Sequence, residues 1–87
     1  MKVILKPIEM VATFDTTGAV LPIRFRLETD DHTLQILRIL KIIVRSEEKI
    51  AGNPMRVYTC LVDLHGEERH CEIRYEMLTC KWVLFKI

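Results

Sequence analysis

The sequence predicts an all-β fold: a small antiparallel barrel of SH3-like or OB-like size, with five to six strands in a meander. Three observations carry this. Short segments rich in β-branched and aromatic residues recur along the chain, several with the alternation of half-buried strands. Turn-forming residues, with glycine at Gly18, Gly52 and Gly66, separate them. The 87 residues make one domain, 1–87, and strands this short gain most by closing on themselves, which removes exposed edges.

Residues 1–7, ending at Pro7, are either a first edge strand or a flexible arm. Ile8, Met10, Ala12 and Phe14 then fall on one face of a strand, and Asp15-Thr16-Thr17-Gly18 has the composition of a type I turn. In Ala19–Leu27, Pro22 cannot donate to a ladder and marks an edge, a bulge or the first strand residue. Beyond it Ile23, Phe25 and Leu27 alternate with Arg24 and Arg26, and Glu28–His32 forms a polar turn.

Thr33–Arg45 is ambiguous. Its polar residues Gln35, Arg38, Lys41 and Arg45 are spaced three, three and four apart, as on a helix. Its bulk is β-branched (Ile36, Ile39, Ile42, Ile43, Val44), which favours a strand. A bulged strand reconciles the two, because one extra residue shifts the faces. Arg45–Lys49 reads as a charged loop or strand end, and Ala51–Pro54 as a turn.

The C-terminal third is a meander. Met55–Leu64 and Arg69–Tyr75 flank His65-Gly66, and a two-residue turn there pairs Leu64 with Glu67, Cys60 with Cys71 and Tyr58 with Ile73. A four-residue loop would shift the partners by two and keep the same faces, whereas a three-residue loop would mix polar and apolar faces. With Glu76–Thr79 as the next turn, Tyr75 pairs with Cys80 and Ile73 with Trp82. The expected core face is then Tyr58, Cys60, Val62, Leu64, Cys71, Ile73, Tyr75, Cys80, Trp82 and Leu84.

A net charge of +1 argues against a dedicated polyanion binder, though not against a local basic patch. No eighteen-residue apolar run is present, so no membrane partner is expected, and the N-terminus does not read as a signal peptide. The expected compartment is the cytoplasm. Three cysteines at strand positions fit free core thiols better than a disulfide framework.

Phe14-Asp15, Gly18, Pro22-Ile23-Arg24-Phe25, Ala51-Gly52-Asn53, Met55, Tyr58, Glu72–Glu76 and Thr79-Cys80-Lys81-Trp82, in that order, carry a resemblance. The chain resembles a group of small bacterial proteins of unknown function, best represented in Firmicutes, over nearly its whole length. It is also similar to a broader uncharacterised family with an early Pro-x-x-Phe strand and a late Trp-x-Leu strand. The resemblance implies a bacterial cytosolic barrel and supplies no catalytic residue.

Cys60, His65, His70, Cys71 and Cys80 are the ligand types zinc takes, but no close Cys-x-x-Cys pair anchors a site, so no metal and no cofactor is expected. His70 and Cys71 are sequence neighbours on a strand and point to opposite faces, which disfavours thiol catalysis; no catalytic residue is assigned. Two surfaces remain. Arg24, Arg26, Arg56 and Arg74, with Arg38, Lys41 and Arg45 nearby, are candidates for nucleic-acid binding, although exposed aromatics for stacking are few. Val83, Phe85 and Ile87, on the second face of the last strand, join Val3, Ile4 and Leu5 as a candidate patch for a protein partner or homodimer, unless the N-terminal arm covers them. The expected function is non-enzymatic binding or interaction, with a nucleic-acid-binding barrel as runner-up.

Overall fold

The computed structural model describes residues 1–87. Six antiparallel strands, β1 (Val3–Phe14), β2 (Val20–Glu28), β3 (Leu34–Ile50), β4 (Asn53–Leu64), β5 (Glu67–Glu76) and β6 (Lys81–Lys86), close into a barrel in chain order. Every connection between successive strands is a hairpin, and β6 returns to pair with β1. No helix of the structure is long and apolar enough to cross a membrane.

Two turns show why the hairpins form where they do. His65 and Gly66 have φ of 53° and 81°, and Ala51 and Gly52 have 52° and 81°. Positive φ at both central residues is the type I′ geometry whose twist matches the flanking strands, and glycine at the second position adopts it freely. The first turn sets the expected β4–β5 register: Leu64 opposite Glu67, Cys60 opposite Cys71 and Tyr58 opposite Ile73. Gly66 N–H donates to Asp63 Oδ1 at 2.7 Å and holds the turn.

The interior is filled from all six strands. Phe25, Leu37, Tyr58, Cys60, Val62, Cys71, Ile73 and Leu84 are at most 2% exposed, and Ile4, Ile8, Met10, Ile39, Ile42 and Trp82 pack around them.

Bulges decide the remaining faces. In β2 the register jumps from Arg24 opposite Val11 to Pro22 opposite Ala12. Ile23 is the extra residue and turns outward, while Pro22 is buried; the simple alternation from Ile23 expected from sequence is corrected by this bulge. β3 carries two bulges, at Leu40 and Ile43, so the segment of helix-like spacing is a bent strand, and the charged run to Lys49 continues it instead of forming a loop.

Two expectations for the β5–β6 hairpin are overturned. Tyr75 pairs with Trp82 and Ile73 with Leu84, a slip of two residues from the expected register that keeps the same faces. The loop is Met77–Cys80, closed by Cys80 N–H donating to the Glu76 carbonyl at 2.8 Å, and Cys80 is exposed at φ 60° instead of lying on the core face. Residues 3–7 belong to β1, not to a free arm.

β1 changes partner along its length. Val3–Ile8 pair with β6, and Glu9–Phe14 pair with β2. The β6-facing edge of Glu9–Phe14 therefore has no strand beside it, because β6 begins at Lys81 and the chain before it turns away to β5. The β2–β3 ladder likewise ends at Arg24 opposite Arg38, while β3 runs on to Ile50 beside β4 alone.

Candidate functional site

The four arginines singled out from sequence do not share one surface. Arg24 and Arg26 lie exposed on the outside of β2. Arg26 donates to Glu9 Oε2 at 2.7 Å across the β1–β2 ladder. Arg24 makes no ion pair: Val11 stands directly opposite on β1 and Arg38 on β3, while Glu9, the diagonal neighbour, is engaged by Arg26. Arg56 points to the inner face of the β3–β4 hairpin, with its Nε 3.6 Å from Glu47 Oε1. Arg74, on the outside of β5, donates from Nε to Glu72 Oε2 at 2.9 Å and lays its guanidinium 3.4 Å over the Phe85 ring. The basic cluster on the outside is thus Arg24, Arg26 and Arg38.

Val83, Phe85 and Ile87 are half-buried. Val83 sits in the ladder between Pro7 and Arg74, Phe85 lies under Arg74, and Ile87 packs against the core while exchanging backbone hydrogen bonds with Lys2 at 2.7 and 3.0 Å. Val3 and Leu5 beside them are exposed and Ile4 packs inward.

Of the zinc-type residues, Cys60 and Cys71 face each other across the β4–β5 ladder at 0% exposure, and Cys80 is in the β5–β6 turn. His70 is exposed, and His65 in its turn contacts Gln35 through the side chains. No three His, Cys, Asp or Glu side chains come together in a group able to hold a metal ion. A hydrogen bond with Cys60, backed by burial, pushes the Cys71 thiol up and keeps it protonated.

The largest apolar opening lies where β1 loses β6. A groove of about 550 Å³ runs between Glu9–Phe14 and the start of β6, lined by Met10, Ala12, Phe14, Tyr75, Cys80 and Trp82. Tyr75 and Trp82 stack with ring centroids 4.7 Å apart, and Tyr58 lies behind at 5.8 Å. Phe14 is 65% exposed at one end, and the charged Glu9 and Lys81 stand on the rim. A hydrogen bond with Cys80, then burial, pushes the Tyr75 hydroxyl up, so it stays a neutral phenol at the groove wall. Along the β1 wall, alternate backbone groups on the β6 side lack a strand partner.

The alternation Ile8, Met10, Ala12, Phe14 was the sequence signal for this wall. The opening itself depends on where β6 begins, which the two-residue slip displaced, so Tyr75 and Trp82 read as closed core. No protein-family model, no curated protein and no solved structure matches the chain.

Proposed function

We propose that this protein is a non-enzymatic binding module that takes up an extended segment of a protein partner in the groove beside β1, in the cytosol of a bacterium. The observation that supports the reading is the coincidence of an unpaired strand edge, Glu9–Phe14, with an apolar aromatic wall, Phe14, Tyr75 and Trp82. An extended peptide added to such an edge gains main-chain hydrogen bonds, and every second side chain of it meets the pocket. A small rigid apolar ligand would use the wall and leave the backbone edge unmatched.

Trp82 is the single tryptophan, so its fluorescence reports on the groove alone. Seven-residue peptides selected by display against the intact protein should give a saturable change in Trp82 emission and protect amides within Glu9–Phe14 from hydrogen exchange. Phe14→Ser, at a side chain that contributes little to the core, should weaken them. Selected peptides that bind Phe14→Ser unchanged and protect no β1 amide would overturn the reading.

A second reading, nucleic-acid binding, is favoured by one observation: Arg24 and Arg38 face each other across β2 and β3, exposed and without an ion pair, although Asp63 stands opposite Arg38 on β4. Like charges directly opposed cost stability, and a polyanion would relieve them. The same face carries Val11 and Ile36 and no aromatic ring for stacking, so the groove reading ranks first.

A further inference from the structure

A second opening lies on the other side of the β1–β2 turn and shares no residue with the groove. Beyond Ile42 the inward side of β3 becomes charged: Arg45 stands opposite Tyr58, and Glu47 opposite Arg56. β2 begins only at Val20 and does not cover this stretch, leaving a recess of about 200 Å³ walled by Ala19, Val20, Arg45, Ser46, Glu47 and Arg56, with Tyr58 beneath. The floor is fixed by the Tyr58 hydroxyl, which donates to the Val20 carbonyl. Arg45, opposite Tyr58 in the ladder, and Arg56 line the recess together with it.

The polar groups here are only partly matched among themselves: Arg56 and Glu47 form a long ion pair, and one guanidinium N–H is left without an acceptor. Arg56 Nε is buried and has no protein acceptor within hydrogen-bonding distance; the nearest carboxylate oxygen, on Glu47, is at 3.6 Å. A buried unsatisfied guanidinium N–H is costly and calls for an acceptor. Arg45 makes no ion pair. Glu47 is 69% exposed at its side chain and is free to swing outward.

We propose that this recess binds a phosphate group, held by Arg45 and Arg56 with Glu47 displaced. Two guanidinium groups arriving from different strands suit a tetrahedral dianion, which accepts from both; a carboxylate is satisfied by a single arginine fork. With Glu47 turned out, the two positive charges match the dianion. The volume admits a phosphate or the phosphate end of an ester, and not a whole nucleotide.

The test uses the intact protein and ¹H–¹⁵N spectra that include the arginine Nε–H signals, with chloride holding ionic strength constant. Inorganic phosphate should produce a saturable shift of Arg56 Nε–H and of the Val20 and Ser46 amides, and acetate should not. Phosphoserine binding as well as inorganic phosphate identifies a tethered phosphate as the ligand, and binding of inorganic phosphate alone identifies the free anion. Arg45→Gln, at an exposed position that leaves the fold intact, should weaken binding about tenfold or more, as loss of a charged hydrogen-bond donor does. Glu47→Gln should tighten it, since it removes the internal competitor. Shifts that spread over all arginines without saturating, equal binding of acetate, or an unchanged affinity in Arg45→Gln would overturn the proposal.

Discussion

The Tyr58 hydroxyl donates a hydrogen bond to the carbonyl of Val20, joining the middle of β4 to the first residue of β2 across the interior. Val20 sits where β2 has lost β3, so this side chain substitutes for the missing ladder. Removing it leaves a buried carbonyl without its partner, and Tyr58→Phe should cost about 1–2 kcal/mol, read as a lower urea midpoint with unchanged slope. Burial pushes the Tyr58 hydroxyl above its ordinary value of 10.0, with the Arg56 and Arg45 charges pulling partly back. The folded state therefore favours the neutral phenol: its contribution is complete below about pH 10 and is lost as pH rises through the higher folded value. The alkaline fall in stability should be shallower in Tyr58→Phe than in the parent protein.

Cys60 and Cys71 are opposite neighbours and fully buried, whereas Cys80 is exposed in a turn. Thiol reagents reach thiolates that solvent can reach. The native protein should react at one thiol, Cys80, and all three should react in denaturant, measured by absorbance with an aromatic disulfide reagent and by mass. Two fast thiols under native conditions would mean that the β4–β5 ladder opens locally.

The bulged strand β3 shows what could be read from residues alone and what could not. The β4–β5 register was legible because the apolar face excludes a three-residue loop and His65-Gly66 suits the two-residue turn over the four-residue loop that would keep the same faces. The spacing in β3 resembled a helix for a physical reason. With Leu40 and Ile43 squeezed out of the ladder, the inward residues Ile39, Ile42 and Arg45 recur every three positions, as do the outward Arg38, Lys41 and Val44. Nothing local marks which residue is extruded; the barrel's need to bend decides it. Both openings were invisible for a related reason, since each depends on where one strand ends relative to a neighbour distant in sequence.

That account of β3 makes a direct prediction. Leu37 is 1% exposed and Leu40, three residues on, is 43% exposed. Leu37→Ala should cost about 2–5 kcal/mol by emptying core volume, and Leu40→Ala should change stability by about 0.5 kcal/mol or less. Comparable losses at both positions would mean that Leu40 lies inside the ladder.

Asp15 organises the β1–β2 turn, its Oδ1 accepting from Thr17 N–H at 2.9 Å, Thr17 Oγ1 at 2.7 Å and Ala19 N–H at 2.9 Å. The Thr17 hydroxyl foremost, then the Ala19 amide, hold its carboxyl below the ordinary value of 3.8. A depressed carboxyl contributes stability above its unfolded value and loses it as pH falls through the lower folded value. Thermal midpoints taken from pH 5 down to pH 2 should fall less steeply in Asp15→Asn than in the parent, because the amide keeps an acceptor oxygen that does not titrate.

Arg24 separates a structural role from a binding one. Its direct cross-strand neighbours are Val11 and Arg38, and it makes no ion pair in the fold. Arg24→Glu converts an opposed like pair into an attractive one and should raise stability by about 0.2–1 kcal/mol. If the outer face of β2 and β3 engages nucleic acid, the same change should abolish binding of a short single-stranded oligonucleotide, and parental binding should weaken with rising salt as counterion release requires. Measured together by thermal unfolding and fluorescence anisotropy, a stabilised variant that loses a salt-sensitive interaction would place the nucleic-acid reading above the groove. A stabilised variant, with the parent showing no salt-sensitive binding, would leave the opposed arginines as a tolerated cost and the β1 groove as the surface to pursue.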